Sequence, residues 1–485
     1  MASPRIVADV TTLANLLFDP SEHADPDRVL VHAGDERVTG RELVDRATAV
    51  RDVLRAAGVG TGDPVAVMLG NDARTVAALF GVWAAGAVYV PVNPRFTDRE
   101  VTRLLEAVPP RAVLTTAEHV TRFPGCTVLE TDTPGIRVLE SPERAATFDA
   151  DVALVQTTSG TTGPPRPIPL RHSQVLELLD SVLGTVRTGS GQPAPAPMPN
   201  LVPVSLSLWA GIYNVCFAFR VGAPVVLMER FEPRELARLV AEHQIQSVVL
   251  PPAAMAMCCD DPELESLAPL RYVRSITAPL SPFLARRFHD RFGVAVLNCY
   301  GQTELGGEVV GWSAADWRAF GETKLGAVGR PHAGVELRLD DAGELWVRTP
   351  VSRASATTLG DRVDTDGWVR TGDCATIDED GFVWIEGRTS DMVNRGGLKV
   401  FPGEVEEVLR TAPGVEDVAV VGVPDDRLGE VPVAFVVGAG DPAVLERHCR
   451  DHLAPYKIPV RFEPIDELPR NEVGKLLTRE LSERA

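Results

Sequence analysis

Length, composition and charge describe a globular chain with more than one domain. At 485 residues the chain exceeds what one hydrophobic core organises, so at least two domains are expected. Hydrophobic residues make up 45% and charged residues 24%, as is typical of a water-soluble globular protein, and the net charge of −19 argues against a surface that binds nucleic acid or an anionic membrane.

The cysteines and the N-terminus favour a cytoplasmic protein. The seven cysteines include no Cys-x-x-Cys pair, and their odd number and mostly apolar settings favour reduced thiols over a disulfide framework. The first ten residues, MASPRIVADV, lack a basic region followed by an apolar core, so no signal peptide is predicted.

The first 145 residues alternate between helical and strand patterns. Apolar periodicity, glycines at the ends of helices and short buried runs separate the elements. This alternation predicts parallel sheets with helices on their faces. The predicted elements are a helix from a Thr39 cap to Gly58, helices at 72–85 and 99–107, and strands at 63–69, 87–90 and 111–115.

A loop rich in glycine and hydroxyl groups, TTSGTTGPPRPIPL at 157–170, follows a predicted strand at 151–156. Its glycines let the backbone approach a ligand, and N–H groups and hydroxyls together can wrap an anion. The Gly-Lys-Ser/Thr ending of a Walker loop is absent, and four prolines forbid an immediate helix. Composition alone leaves a polyphosphate site and an ordinary Ser/Thr/Gly turn equally open.

The middle of the chain contains one uncharged stretch, Leu201–Phe219, that is long enough to span a bilayer. A buried strand and helix are favoured instead, because Pro203, Asn214 and Arg220 interrupt or bound the stretch. A span would also place the 157–170 loop and the later motifs on opposite sides of a membrane. The other predicted elements are helices at 173–186, 233–243 and 281–292, with caps at Ser173 and Ser281, and strands at 225–228, 247–250 and 295–298.

The predicted secondary-structure pattern changes twice in the last 160 residues. From Gly326, short strands with Asp-rich turns predict an antiparallel, barrel-like subdomain, and after Gly387 the pattern becomes that of a small α+β domain. The fold class is therefore α/β, with a large N-terminal domain of parallel-rich αβα sheets. The predicted bounds are an N-terminal domain at 1–387 with its β-rich subdomain at about 326–387, a hinge at 388–391 and a C-terminal domain at 392–485.

Four further polar clusters contain residue types suited to one site. The segment YGQTE at 300–304 offers a tyrosine face for a base, a threonine hydroxyl and a glutamate suited to Mg²⁺. Asp373, at a predicted strand end, could bind two ribose hydroxyls, and Arg388 could reach a ribose or a phosphate. Lys475 follows a glycine in the C-terminal tail. Each cluster alone could equally be a turn, a turn cap or a solvated charge.

The order and spacing of these segments resemble one family. The matching segments are TTSGTTGPP, YGQTE, TGD, GRTSDMVNRGGLKVFPGEVE and LPRNEVGKL, with weaker matches at AGAVYVP (85–91) and TAPL (277–280). The chain resembles the adenylate-forming superfamily of acyl-CoA synthetases, peptide-synthetase adenylation domains and firefly-type luciferases, and in type a stand-alone acyl-CoA ligase. The resemblance covers almost the whole chain.

The resemblance implies a two-step reaction. A carboxylate attacks the α-phosphate of ATP bound with Mg²⁺, and after the small, mobile C-terminal domain rotates, the thiol of coenzyme A takes the acyl group. Catalytic roles are implied for Lys475, Thr161 and Glu304, with Glu304 also the metal ligand. Binding of ATP or coenzyme A is implied for Thr158, Ser159, Gly160, Thr162, Gly163, Ala278, Tyr300, Gly301, Thr303, Asp373, Ile385, Arg388, Gly397 and Lys399.

Three departures from the family pattern bear on function. The phosphate loop usually continues Pro-Lys-Gly, whereas this chain has Pro165-Arg166-Pro167, and the hinge position, usually Asp or Lys, is Ser390. The segment Pro203-Val-Ser-Leu206 lacks the His or aromatic gate of many members, which favours a fatty or other apolar acid. The candidate residues of the pocket floor are Leu206, Trp209 and Ala278.

The expected partners are a carboxylic acid, ATP and coenzyme A, with no nucleic acid and no membrane span. Coenzyme A and carrier proteins present the same phosphopantetheine thiol, so loading of a separate acyl or peptidyl carrier protein, or of another nucleophile, is the alternative. The chain contains no carrier domain, which favours a free-standing ligase. A nucleotide-binding homologue without turnover is a third hypothesis; Arg166-Pro167 supports it, and the presence of Glu304, Asp373, Arg388 and Lys475 opposes it.

Overall fold

The computed structural model describes residues 12–19, 25–131, 135–137, 146–158, 166–187, 198–349, 362–470 and 476–485. The chain divides into two units. The first comprises Met1–Thr277, Phe288–Val296 and Gly301–Glu308. The second comprises Ala278–Arg287, Leu297–Tyr300 and Val309–Ala485.

The N-terminal part of the chain forms the predicted alternation of helices and strands. Its elements are α1 (Asn15–Phe18), β1 (Val29–Ala33), β2 (Glu36–Thr39), α2 (Gly40–Ala56), β3 (Pro64–Met68), α3 (Ala73–Ala84), β4 (Val88–Pro91), α4 (Asp98–Ala107), β5 (Ala112–Thr115), β6 (Val128–Glu130), β7 (Gly135–Arg137), β8 (Val152–Thr158), β9 (Arg166–Arg171) and α5 (His172–Arg187).

Seven of these strands form one sheet in the first unit, in the order β7-β6-β5-β3-β4-β8-β9. The central pairs are parallel, as predicted, whereas β7 and β9 pair antiparallel at the two edges. The strand β9 was not predicted, because the segment after Thr157 was interpreted as a stiff, proline-containing loop. An edge strand tolerates Pro167 and Pro169, since its outer side has no ladder hydrogen bond to lose.

Helix starts follow the predicted caps in two of three cases. The Thr39 side chain accepts from the Glu42 N–H while the Glu42 carboxylate accepts from the Thr39 N–H, and the Ser281 hydroxyl accepts from the Leu284 N–H at 3.3 Å. The prediction for Ser173 was wrong, because α5 begins one residue earlier. Ser173 instead donates its N–H and hydroxyl to the Asp151 carboxylate.

The middle of the chain contributes to both units. Its elements are β10 (Asn200–Val202), α6 (Trp209–Arg220), β11 (Val225–Leu227), α7 (Pro233–Glu242), β12 (Ser247–Leu250), α8 (Pro252–Asp260), β13 (Tyr272–Ser275), α9 (Pro282–Phe292), β14 (Ala295–Gln302), β15 (Gly307–Gly311), α10 (Ala314–Phe320) and β16 (Arg330–Pro331). In the first unit β10, β11 and β1 run parallel in a sheet that β2 closes as an antiparallel edge, and β12 pairs parallel with β13.

The uncharged stretch Leu201–Phe219 folds as the predicted buried strand and helix, β10 and α6. Phe219 is fully buried and stacks on Phe80 of α3 with 5.2 Å between ring centroids. The Asn214 side chain donates to the Ala210 carbonyl within α6. None of the helices in the described ranges is both long and apolar enough to cross a membrane.

The C-terminal part holds two sheets in the second unit, one antiparallel and one mixed. Its elements are β17 (Glu336–Leu339), β18 (Glu344–Arg348), β19 (Val369–Ile377), β20 (Val383–Arg388), β21 (Val393–Arg395), β22 (Leu398–Val400), α11 (Pro402–Arg410), β23 (Val415–Asp425), β24 (Gly429–Gly438), α12 (Pro442–His452), β25 (Arg461–Pro464) and α13 (Thr478–Arg484). One sheet has the order β17-β18-β19-β20, and the other β22-β21-β24-β23 with β25 parallel to β24.

Three Asp-x-x-Gly turns shape the β17–β20 sheet, in the region predicted to be β-rich. In each turn the aspartate Oδ1 accepts from the N–H groups two and four residues later, while the glycine has a left-handed backbone. The turns begin at Asp340, Asp364 and Asp378. These side chains therefore account for the Asp-rich composition noted in the sequence.

The α+β region beyond Arg388 has its own core. Val405, Leu409, Leu445 and Cys449 of α11 and α12 pack against the sheet in one cluster. Leu481 of α13 belongs to a separate cluster with other residues of β23 and β24. All seven cysteines of the chain are free thiols, as predicted. The predicted domain bounds and the predicted hinge at 388–391 stay predictions.

Candidate active site

The clearest polar site in the second unit gathers three of the predicted residues around one carboxylate. The Tyr300 hydroxyl donates to Asp373 Oδ2 at 2.6 Å, and Arg388 Nε lies 3.2 Å from Asp373 Oδ1. The Asp373 side chain is 7% exposed and the Arg388 side chain 54% exposed. We call Tyr300, Asp373 and Arg388 the Asp373 cluster. A carboxylate fixed in this way suits recognition of neighbouring hydroxyls.

Strand register explains how Asp373 and Arg388 meet. Asp373 lies opposite Arg388 across the antiparallel pair of β19 and β20. The prediction that Asp373 ends a strand was wrong: it lies inside β19, next to irregularities in the pairing of β19 with both neighbours. Tyr300 likewise lies within β14 rather than after it. Such bulges re-aim side chains near functional sites.

The two residues before Asp373 hold the local backbone in place. The buried Thr371 hydroxyl donates to the Leu345 carbonyl at 2.6 Å and accepts from the Asp373 N–H at 3.1 Å. Gly372 has φ +78°, and its N–H donates to the Glu344 carboxylate at 2.9 Å. The TGD motif therefore orients its carboxylate through a threonine tie and a glycine turn.

Ile385 lies on β20, three residues before Arg388, and is half-buried opposite Ala375. Because side chains alternate along a strand, Ile385 and Arg388 point to opposite faces of β20 if the strand is regular. The pairing is irregular between Cys374 and Ala375, directly beside this segment. The structure therefore places Ile385 on the same strand as Arg388, and its role in binding stays a prediction.

The segment after Tyr300 belongs to the first unit. Thr303 and Glu304 begin a short 3-10 turn after β14, and both are half-buried. A Cβ on Gly301 would lie 2.0 Å from the Gly307 carbonyl oxygen, so only glycine fits between β14 and β15. The Glu304 carboxylate is a hard oxygen ligand of the kind Mg²⁺ takes.

A magnesium ion at Glu304 would need further ligands from its substrate. The described part of the chain holds no group of three or more His, Cys, Asp or Glu side chains placed to hold a metal. Mg²⁺ in nucleotide sites is often bound by one or two carboxylates, substrate phosphates and water. The single carboxylate therefore fits a metal that is bound together with ATP.

Ala278 follows a strained residue. Thr277 has φ +74°, which is unusual for a β-branched side chain, and Ala278 is exposed. Such backbone strain is characteristic of functional loops. The role of Ala278 in binding stays a prediction.

Gly397 and Lys399 lie on the β21–β22 hairpin of the second unit. Gly397 has φ +89° and donates its N–H to the Asn394 side chain. The exposed Lys399 ammonium donates to the Ala342 carbonyl at 2.5 Å. The contacts that the structure gives these two residues are to Asn394 and Ala342, and their role in binding stays a prediction.

Much of the predicted phosphate loop and the predicted catalytic lysine fall outside the described residues. Thr158 ends β8. The predicted residues for which no structure is described are Ser159, Gly160, Thr161, Thr162, Gly163 and Lys475.

In the first unit, one asparagine holds the segment 203–209, which matches the family's acid-gate region in sequence. Asn71 Nδ2 donates to the Val204 carbonyl at 3.0 Å and the Met228 carbonyl at 3.1 Å, and the Leu206 N–H donates to Asn71 Oδ1 at 2.7 Å. Sequence reasoning missed Asn71. The available signal was a polar residue just after the buried strand β3, where ligand sites of α/β sheets form.

Two proposed floor residues of this segment are packed. Leu206 is 2% and Trp209 is 8% exposed, and both belong to the main hydrophobic cluster of the first unit. The Trp209 indole N–H donates to the Gly306 carbonyl at 3.0 Å. Packing is therefore the observed role of both side chains.

Family comparisons define the class of protein. Residues 18–354 match the family described as AMP-binding enzyme, and residues 404–475 match the AMP-binding enzyme C-terminal domain. Because the first match alone covers more than half of the chain, the chain belongs to the AMP-binding enzyme family. Its class is the AMP-forming acid–thiol ligases.

Individual relatives agree with this class. A feruloyl-CoA synthase from an Amycolatopsis species is 32% identical over 95% of this chain and 96% of its own. The fatty acid–acyl-carrier-protein ligase ScoC of Streptomyces coeruleorubidus is 30% identical over 97% of this chain and 96% of its own. The solved o-succinylbenzoate CoA synthetase (MenE) of Bacillus subtilis, in complex with the acyl-adenylate intermediate OSB-AMP, has a TM-score of 0.82 at 25% identity, over 97% of this chain and 98% of its own.

Proposed function

We propose that the chain converts an apolar carboxylic acid, ATP and coenzyme A into an acyl-CoA thioester, AMP and pyrophosphate. The observation that most directly supports this proposal is the Asp373 cluster, in which a buried carboxylate is held by a tyrosine hydroxyl and a guanidinium. Two neighbouring ribose hydroxyls are suited to this carboxylate, with Arg388 at its exposed side. ATP is the substrate whose ribose would occupy it.

In the first step an oxygen of the acid attacks the α-phosphorus, and the bond to the pyrophosphate oxygen breaks. Attack of one anion on another requires donors and cations around the phosphates. We assign Lys475 to the carboxylate and α-phosphate, and the loop 159–163 to the departing phosphates. Glu304 would hold Mg²⁺, which supplies positive charge to the phosphate oxygens.

In the second step the thiol sulfur attacks the acyl carbon, and the bond to the AMP phosphate oxygen breaks. The thiol proton leaves with this step, and AMP is released. We assign Gly397 and Lys399 to the surface that meets the thiol arm after the 392–485 domain moves. Their exposure on a hairpin separate from the Asp373 cluster is compatible with this role.

The acid is proposed to be apolar because the segment 203–209 presents neither a histidine nor a charged side chain. Leu206 and Trp209 lie in a hydrophobic cluster. The feruloyl and fatty-acid relatives act on acids that also carry large apolar parts, which supports the proposal.

The first experiment tests which thiol accepts the acyl group, because the ScoC relative is a carrier-protein ligase. Purified protein is incubated with fatty and aromatic acids, ATP, Mg²⁺ and either coenzyme A or a phosphopantetheinylated carrier protein. Mass spectrometry is expected to detect acyl-CoA and AMP. Adenylates trapped by hydroxylamine, with an acylated carrier but no acyl-CoA, would overturn the choice of acceptor. Failure of every acid to form an adenylate would overturn the proposed function.

A further inference from the structure

A buried glutamine lies just before the predicted phosphate loop, and within the described residues its amide oxygen lacks a hydrogen-bond partner. Gln156 on β8 is 9% exposed, and its Nε2 donates to the Ser207 carbonyl at 3.4 Å. Across the described ranges, Gln156 Oε1 has no hydrogen-bond partner. The amide orientation follows from chemistry: the Ser207 carbonyl only accepts, so the nitrogen must face it and the oxygen must face away.

Gln156 adjoins two parts of the first unit that are proposed to bind substrate. Gln156 is followed directly by Thr157, where the predicted phosphate loop begins. Ser207 belongs to the segment 203–209. Its hydroxyl contacts the Ser205 hydroxyl at 2.7 Å. By strand alternation Gln156 shares a face of β8 with Leu154, which packs in the same cluster as Leu206 and Trp209.

We propose that Gln156 is a specificity-determining residue whose Oε1 accepts a hydrogen bond from a hydroxyl group on the acid substrate. A buried acceptor without a partner is destabilising and calls for a donor. Because Leu154, Leu206 and Trp209 of the adjoining cluster are apolar, the donor is a single group on an otherwise apolar acid. This inference rests on the proposed function and narrows the substrate class within it.

The test compares pairs of acids that differ by one hydroxyl. The pairs are para-coumaric with cinnamic acid, salicylic with benzoic acid, and β-hydroxyoctanoic and omega-hydroxyoctanoic with octanoic acid. Initial rates of acyl-CoA formation give kcat/KM for each acid. In at least one pair the wild-type enzyme is expected to favour the hydroxylated acid by about tenfold or more, because a site built for a donor rejects the analogue that lacks it.

Gln156→Met keeps the length of the side chain and removes the acceptor, so the preference is expected to fall by about tenfold or more. Gln174→Met is the matched control. Gln174 is also buried, at 7% exposure, but its Oε1 accepts from the Arg171 N–H at 3.3 Å. The control variant is expected to keep the wild-type preference. The melting temperature and the KM for ATP report whether each variant is folded.

Three outcomes contradict the inference. They are a wild-type enzyme that accepts both members of every pair equally, a Gln156→Met enzyme with an unchanged preference, and an equal loss of preference in Gln174→Met. The first of these does not depend on any variant folding. In all three, acyl-CoA still forms, so they are distinct from failure of the proposed function, in which no acid yields an adenylate or a thioester.

Discussion

The Asp373 cluster and the segment 203–209 are built on opposite principles. The cluster joins side chains of three strands, Tyr300, Asp373 and Arg388, around one buried charge. The segment is a stretch of backbone whose carbonyl and N–H groups are held by the single side chain of Asn71. The first arrangement fixes a chemical group, and the second fixes a shape. This difference suits the roles proposed for them: the cluster would bind a nucleotide that is the same in every turnover, and the segment an acid that distinguishes one enzyme from another.

Removing the charge of the Asp373 cluster is expected to have the largest effect. In Asp373→Asn, Arg388 loses its ionic partner, and under the proposed function the ribose hydroxyls lose a charged acceptor. Because hydrogen bonds to charged groups contribute about 1.5–3 kcal/mol each, kcat/KM for ATP should fall by about 100-fold or more. The KM for the acid should change by less than about threefold if the two regions are independent. Pyrophosphate exchange measures both constants.

Tyr300→Phe is the graded control for this variant. It removes the hydroxyl that donates to Asp373 Oδ2 and keeps the aromatic ring. Loss of a single hydrogen bond predicts a decrease of about tenfold in kcat/KM for ATP. An Asp373→Asn enzyme with wild-type ATP kinetics would show that the carboxylate does not bind nucleotide.

Removing the Asn71 side chain is expected to raise the KM for the acid and to leave the KM for ATP unchanged. In Asn71→Ala, the Val204 and Met228 carbonyls and the Leu206 N–H lose their partner. The free energy of unfolding should fall by about 2–3 kcal/mol, and the KM for the acid should rise by about tenfold. Denaturant titration and steady-state kinetics measure the two effects.

Asn71→Asp separates the two halves of this amide. The variant keeps the acceptor for the Leu206 N–H and loses the donor to the two carbonyls. It should therefore lose stability while holding Leu206 in place more closely than the alanine variant. A larger change in the KM for ATP than in the KM for the acid, in either variant, would contradict the division between the two regions.

Much of the fold follows from sequence because its determinants are local. The Thr39 capping box, the glycines after helices and the buried runs of β3 to β5 lie within a few residues of the structures they predict. The strand β9 did not follow, since Pro167 and Pro169 are acceptable only at a sheet edge. Whether a strand lies at an edge depends on the whole topology.

The site divides in the same way. Tyr300, Asp373 and Arg388 were named from motifs because each carries a distinctive chemical group. Their placement within strands was missed, since the irregular pairing of β19 arises between distant segments. Asn71 was missed because its three partners are main-chain groups far along the chain, and these leave no trace in residue types.

Acidification should weaken the scaffold of the first unit at a higher pH than that of the second. Burial lowers the pKa of His172 to about 4 from its ordinary 6.5, although Asp151 opposes this shift. In the folded chain the neutral ring accepts from the Leu13 N–H at 3.1 Å. The unfolded chain binds this proton at a higher pH than the folded chain, so stability falls as pH falls from about 6.5 to about 4.

His172→Asn keeps an acceptor near Leu13 and removes the titration. Between about pH 7 and about pH 5, this variant should lose less unfolding free energy than the wild type in urea titrations. His32 supplies a remaining dependence, because burial also lowers its pKa to about 4. Equal losses of unfolding free energy in the variant and the wild type would show that His172 does not cause the pH dependence.

In the second unit the corresponding group is Asp378. Burial alone would raise the pKa of its carboxyl, but hydrogen bonds from Lys324, the Phe382 N–H and the Trp384 indole lower the pKa to about 2 from its ordinary 3.8. Its stabilising contribution is therefore present above about pH 4 and is lost as pH falls towards 2. His172→Asn should leave this lower window unchanged.

The smallest effect is expected at the end of the predicted phosphate loop, where Arg166-Pro167 replaces the usual Lys-Gly. Both residues are exposed on the edge strand β9, and they lie opposite Thr158 and Thr157 of β8. The double variant Arg166→Lys, Pro167→Gly restores a backbone N–H and a compact cation beside the phosphate loop. The KM for ATP should fall by about two- to fivefold, while glycine in a strand slightly lowers the melting temperature. An unchanged KM for ATP and adenylation rate would show that the departure is incidental to pyrophosphate handling.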